Sequence, residues 1–183
     1  MIISINTAVE VIRQEGVIAT PTEAVYGLSV DPNQPEAIQK LLALKQRDPD
    51  KGLIIVAADI EQLEPWVDWS PLTSQQYQTV ISRWPGPFTW VVPAKQNVST
   101  GVRGSFDTIA VRVTDHPVMR ELCRACDHAL ISTSANISNQ NPARSIEQVE
   151  QQFGVEFPIL VGDLGALNAP TQILDVRTEQ RVR

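Results

Sequence analysis

Residues 35–57, Pro35-Glu-Ala-Ile-Gln-Lys-Leu-Leu-Ala-Leu-Lys-Gln-Arg-Asp-Pro-Asp-Lys-Gly-Leu-Ile-Ile-Val-Ala57, hold the contrast that decides the fold class. Ile38, Leu41, Leu42 and Lys45 fall at helical spacing and Pro35 sits in the first turn, so residues 35–46 read as an amphipathic helix. Leu53 to Ala57 follows as an apolar run without alternation. That is the pattern of a strand covered on both faces. A helix feeding such a strand indicates an α/β domain built on a covered sheet.

The same alternation extends in both directions. Residues 7–15 read as a helix with Asn6 as its cap and Gly16 just past its end. Val17 to Thr20 reads as a short strand stopped by Pro21. Ser70-Pro71 opens a helix that runs to about Trp84 and is ended by Pro85-Gly-Pro87. Phe88 to Val92 and Ile109 to Val113 read as strands with no clear helix between them, so this pair is expected to be antiparallel. A helix over about 117–126 and a strand over 130–133 follow. Ser145 and Gln148 match a capping box that starts another helix, and residues 158–161 and 172–176 are the last strands. Active sites in such sheets lie beyond the carboxyl ends of strands, and polar motifs directly follow Thr20, Ala57 and Ile131.

The 183 residues suit one domain with a sizeable core. A hydrophobic fraction of 43% and a charged fraction of 20% are ordinary for a globular protein. There is no apolar run of membrane-spanning length, and Met1 to Thr7 lacks the basic and apolar regions of a secretory signal. Cys123 and Cys126, the only cysteines, do not make a secreted disulfide framework, so the expected compartment is the cytoplasm. A formal net charge of −6 argues against a broad RNA-gripping face but not against a small cationic pocket.

No Gly-Lys-Ser/Thr and no G-x-G-x-x-G occurs, which removes the P-loop and the dinucleotide fingerprint. His116 and His128 are not spaced as a zinc pair, and no set of residues reads as a metal site. Cys123-Arg-Ala-Cys126 is either a redox pair or two small, semi-buried helix residues. Thr20-Pro-Thr22 can offer two hydroxyls to a polar ligand, or form a rigid loop with Thr22 as a cap. Lys45, Arg47 and Lys51 can neutralise a polyphosphate, or complement the dipole at a helix C-terminus. Ile131-Ser-Thr-Ser-Ala-Asn-Ile-Ser138 can hold phosphate or carboxylate oxygens, or form a capping turn. Arg112, inside an apolar strand, is either an anion ligand or half of an ion pair with Asp107 or Asp115.

Taken in order, Pro21-Thr-Glu-Ala-Val-Tyr-Gly27, Leu44-Lys-Gln-Arg47, Arg83-Trp-Pro-Gly-Pro-Phe-Thr89, Ala110-Val-Arg112 with His116-Pro117, and Ser132-Thr-Ser-Ala-Asn136 resemble the motifs of the YrdC/Sua5 family. The length resembles the short, single-domain bacterial form, one domain over 1–183. The resemblance implies a twisted mixed α/β sheet with flanking helices and a large concave cleft. It implies L-threonylcarbamoyladenylate synthase activity. Such an enzyme makes threonylcarbamoyl-AMP and pyrophosphate from L-threonine, bicarbonate or CO2, and ATP, for the threonylcarbamoyl modification of adenosine 37 in tRNA.

By resemblance, Lys45, Arg47, Ser134 and Asn136 are the catalytic nucleotide-handling residues. Thr22 occupies a threonine-pocket position, and Thr89, Arg112 and Ser132 line up with cleft positions; the mechanism this suggests adds Lys51, Thr89 and Ser132 at ATP and Arg112 at the threonine carboxylate. Mg2+ accompanies the triphosphate. A tRNA-modifying transferase complex is the downstream partner, with weak tRNA binding and no membrane association. The chain departs from the family pattern at Asp48, which separates Arg47 from Pro49, at Asn139, where glycine is usual, and around Pro170-Thr-Gln-Ile173. Two other readings are an RNA-binding module of ribosome or rRNA maturation and a carbamoyl transferase with another acceptor.

Overall fold

The computed structural model describes residues 1–167, 169 and 171–182; the expected family position at Pro170 lies outside them. The strands are β1 (Ile2–Ile3), β2 (Ile18–Pro21), β3 (Tyr26–Val30), β4 (Ile54–Ala57), β5 (Phe88–Pro93), β6 (Thr108–Val113), β7 (Leu130–Ser134), β8 (Ile159–Leu160) and β9 (Gln172–Asp175). The α-helices are α1 (Ile5–Arg13), α2 (Pro35–Lys45), α3 (Ser74–Ser82), α4 (Thr100–Arg103), α5 (Pro117–Cys126) and α6 (Ile146–Phe153). Among the described residues the strands form one mixed sheet in the order β1-β8-β2-β3-β7-β4-β6-β5-β9. β4 and β6 run parallel, whereas β5 and β6 are antiparallel as expected.

Helix ends follow their capping chemistry. α1 starts earlier than the sequence reading, because the Ser4 hydroxyl accepts from Thr7 N and takes the cap from Asn6. α3 starts at Ser74 rather than Ser70-Pro71, because Thr73 and Gln76 form a reciprocal capping box. At α5, His116 Nδ1 accepts from Met119 N, so Nε2 carries the proton and donates to the Asp163 carbonyl at 3.0 Å. α6 begins after Ser145 as expected, but Gln148 Oε1 accepts from Arg144 N rather than from the cap residue. The strands not anticipated are β1 and β3. Pro21 does not stop β2; it pairs with Tyr26 across a tight hairpin, its missing N–H being tolerated at the strand's end.

The register explains where a cleft can form. Side chains two apart on a strand, and cross-strand partners, share one face. Ile18, Val56 and Leu130 pack with α1 and α5 in one core cluster. On that same face β2 continues to Thr20, and β7 continues to Ser132 and Ser134. Ser132 pairs with Ser29 and Ser134 with Gly27, while Ala110 and Arg112 pair with Ile54 and Val56. One half of the face is therefore apolar and covered by helices, and the other half is polar, with Ser132, Ser134 and Arg112 facing a cavity. The opposite face carries the larger core, with Leu28, Ile55, Val111 and Ile131. The motif after Ala57 lies at the other end of the sheet from Ser134, because β4 and β7 are antiparallel. Of these three strand-end motifs, those after Thr20 and Ile131 reach the cleft.

Candidate active site

A cavity of about 510 Å³ opens over the polar half of the face, a volume typical of small-molecule sites. Of the candidate site residues, Thr22, Arg47, Lys51, Arg112, Ser132 and Ser134 line it. Gly27 forms part of its floor: a Cβ there would stand 2.8 Å from Ser132 Oγ and 3.3 Å from Thr22 Cγ2. Among the described residues the lining holds four cations, Arg47, Lys51, Arg103 and Arg112, and no Asp or Glu. In a chain of net charge −6, that concentration of positive charge favours an anionic ligand.

Lys45, Thr89 and Asn136 stand behind the wall rather than on it. Lys45 is only 3% exposed. Its ammonium donates to the Ser134 carbonyl at 2.5 Å, the Asn136 carbonyl at 2.9 Å and Asn136 Oδ1 at 3.3 Å. The sequence reading gave this lysine to the phosphates; the fold directs it into the turn after β7. Asn136 Oδ1 also accepts from Ser134 Oγ at 2.6 Å, while its amide donates to the Ile137 and Gln140 carbonyls. Lys45 thus sets the conformation of the Ser-x-Asn turn, which in turn presents Ser134. Arg47 reaches the cavity and donates to the Gly52 carbonyl at 2.9 Å. Thr22 donates to the Val25 carbonyl at 2.7 Å, leaving its oxygen as an acceptor.

Arg112 pairs with neither Asp107 nor Asp115. Its Nη2 lies 3.3 Å from Glu23 Oε2, with both side chains buried. Its Nη1 donates to Thr171 Oγ1 at 2.7 Å and to Thr89 Oγ1 at 3.4 Å. Glu23 Oε1 in turn accepts from Thr114 Oγ1 at 2.5 Å. One guanidinium therefore joins β5, β6, the β2–β3 hairpin and the segment before β9. Glu23 and Arg103 are functional neighbours that sequence reasoning did not single out, and Thr171, whose role the departure from the family pattern left open, is a third. The signal for Glu23 was its place inside the Thr-Glu motif opposite a lone strand arginine.

The C-x-x-C pair is structural. Both thiols are buried, more fully than the semi-buried helix positions anticipated. Burial, reinforced by Cys126, pushes the Cys123 thiol far above its ordinary range. Burial and the nearby Asp31 raise Cys126 to about 11. Since the thiolate is the reactive form, iodoacetamide at about pH 8 is expected to label neither cysteine in the folded protein and both in urea. Rapid labelling of the native protein would overturn this assignment.

A family model described as telomere recombination, covering the Sua5, YciO and YrdC proteins, matches residues 10–183. The chain belongs to the Sua5/YciO/YrdC family. A threonylcarbamoyl-AMP synthase of Serratia proteamaculans (strain 568) is 48% identical over 175 residues, spanning 96% of this chain and 93% of that one. One from Escherichia coli O1:K1 / APEC is 47% identical over 180 residues, spanning 98% and 95%. The crystal structure of P. abyssi Sua5 complexed with L-threonine superposes with a TM-score of 0.88 at 28% identity, over 99% of this chain and 56% of that one. E. coli YciO shares the fold, with a TM-score of 0.81 at 21% identity over 96% of this chain and 88% of that one.

The departures from the Sua5/YciO/YrdC pattern have local explanations. Asp48, between Arg47 and Pro49, accepts from Asp50 N and caps the single 3-10 turn Pro49–Lys51 that carries Lys51. Asn139 has φ 68°, the left-handed conformation that asparagine tolerates best after glycine. Thr171, the sole polar side chain of its loosely matched motif to touch Arg112, is held in place by that bond.

Proposed function

We propose that this chain is a threonylcarbamoyl-AMP synthase acting as a nucleotidyltransferase in the cytoplasm. The observation that carries this reading is the cavity whose described lining holds four cations and no carboxylate side chain, in a chain so similar to enzymes of that name. Threonine's amine takes up bicarbonate with loss of water and becomes a carbamate. A carbamate oxygen attacks the α-phosphorus of ATP. The new O–P bond forms as the bond to the β-phosphate bridge breaks, and pyrophosphate leaves with the electron pair. The side chains position the partners and offset developing negative charge.

Arg47 and Lys51 neutralise phosphate charge. Ser132 and Ser134, on adjacent positions of one strand face, hold nucleotide oxygens, with Lys45 and Asn136 fixing the turn beside them. Thr22 meets the threonine side chain or its carbamate. Arg112, which lines the cavity and is backed by Thr89, takes the threonine carboxylate. Mg2+ comes with ATP. When bound, the ion would be held largely by phosphate oxygens and water. The product passes to a separate tRNA-modifying transferase complex, with at most weak tRNA contact here.

Pyrophosphate release from ATP by the purified protein, with and without L-threonine and bicarbonate, tests the reading. Release is expected to require both. Release with another amine in place of threonine would point to a different carbamoyl acceptor. No release, together with a steeply salt-dependent RNA affinity, would favour an RNA-binding module.

A further inference from the structure

Arg103 is the cation of the cavity that no motif announces. It ends α4 and lines the same cavity as Arg47 and Lys51. Its guanidinium is held by backbone carbonyls: Nε donates to Val98 O at 3.1 Å and Nη1 to Phe106 O. Among the described residues no carboxylate lies within salt-bridge distance of it. Carbonyl acceptors orient an arginine without cancelling its charge. Arg112 differs in this respect, since Glu23 stands against it.

Arg103 is also tied to the loop that bears Lys51. Leu53 N donates to the Val102 carbonyl at 2.8 Å, and Ser105 N to the Asp50 carbonyl at 3.3 Å. Gly104 (φ +69°) lets the two backbones touch: a Cβ there would stand 2.4 Å from Asp50 O and 2.6 Å from Gly52 N. Gly52 (φ +62°) does the same from the other side, since its Cβ would meet Arg103 O at 2.9 Å. Neither approach is open to a residue with a side chain. Arg47 closes the unit by donating to Gly52 O. Arg47, Lys51 and Arg103 therefore sit on one stitched wall with their relative positions set before any ligand arrives.

We propose that Arg103 is a third cation of this wall and binds the pyrophosphate portion of ATP and the pyrophosphate that leaves, an assignment that rests on the synthase reading. The leaving group gains charge as the P–O bond breaks, and a preorganised guanidinium is worth most where charge develops. A planar fork already aimed by two carbonyls loses little freedom on gripping phosphate oxygens.

The test is equilibrium binding of inorganic pyrophosphate, at fixed Mg2+, to the wild type and to Arg103→Gln. The glutamine can still donate to a backbone carbonyl but carries no charge. It is expected to weaken pyrophosphate binding about tenfold and to leave the KM for threonine unchanged. Lys95→Gln, which removes the same charge away from the cavity, is expected to bind as the wild type does. Equal affinity in Arg103→Gln and the wild type, or equal weakening in both variants, overturns the proposal. Should Arg103→Gln not fold, phenylglyoxal labelling of the wild type decides: pyrophosphate is expected to protect Arg103, and unprotected labelling overturns the assignment. Failure of the synthase reading is distinguishable, because the wild type itself would then release no pyrophosphate with threonine and bicarbonate.

Discussion

Replacing Lys45 with alanine is expected to lower threonine-dependent pyrophosphate release by about 10²- to 10³-fold and to destabilise the protein by about 2–4 kcal/mol. The two losses have one cause. The buried ammonium satisfies two carbonyls and the Asn136 side chain, and without it the turn that presents Ser134 is left with unmet acceptors. For a chain of this length, such a loss corresponds to a fall in melting temperature of about 5–15 °C. Rate assays and thermal melts on the same preparation separate the alternatives. A silent enzyme with an unchanged melting temperature would mean that Lys45 acts on phosphate directly.

Glu23→Ala is expected to destabilise by about 3–5 kcal/mol, the usual cost of leaving one member of a buried ion pair alone. Arg112 would keep only its two threonine hydroxyls, and Thr114 would lose its acceptor. The double variant Glu23→Ala/Arg112→Ala should then lose clearly less than the sum of the single losses, because no uncompensated charge remains. Additive losses in chemical denaturation would show that the two side chains are not coupled.

Much of this architecture is visible in the chain itself. The helix over 35–45 and the one over 117–126 are marked by proline at the first turn and by helical spacing, and the structure places them there. β3 does carry a strand's alternation, with Tyr26, Leu28 and Val30 on the core side and Gly27 and Ser29 on the other, but the run is only five residues long and its pairing with β2 and β7 on its two sides is what makes it a strand. Cap competition is equally hard to read: Ser4 and Asn6, or Ser70 and Thr73, are chemically similar, and tertiary packing chooses between them. At the site, the hydroxyls and cations of Thr22, Arg47, Lys51 and Ser134 are legible as residue types that suit a phosphate. Partner choice is not. Glu23 finds Arg112 across a separation of 89 positions, and Lys45 turns away from the cavity, because both pairings are products of strand register.

That core and cleft share one sheet face has a consequence for how such a protein can change over generations. Along β7 the positions Leu130, Ser132 and Ser134 pass from helix-covered packing to open floor within a few residues. Selection can alter the floor at its polar positions while Ile18 and Leu130 go on anchoring α1 and α5. Innovation in what is bound and preservation of the scaffold are thus separable at the level of single codons, which lets one backbone plan outlast wide divergence in sequence.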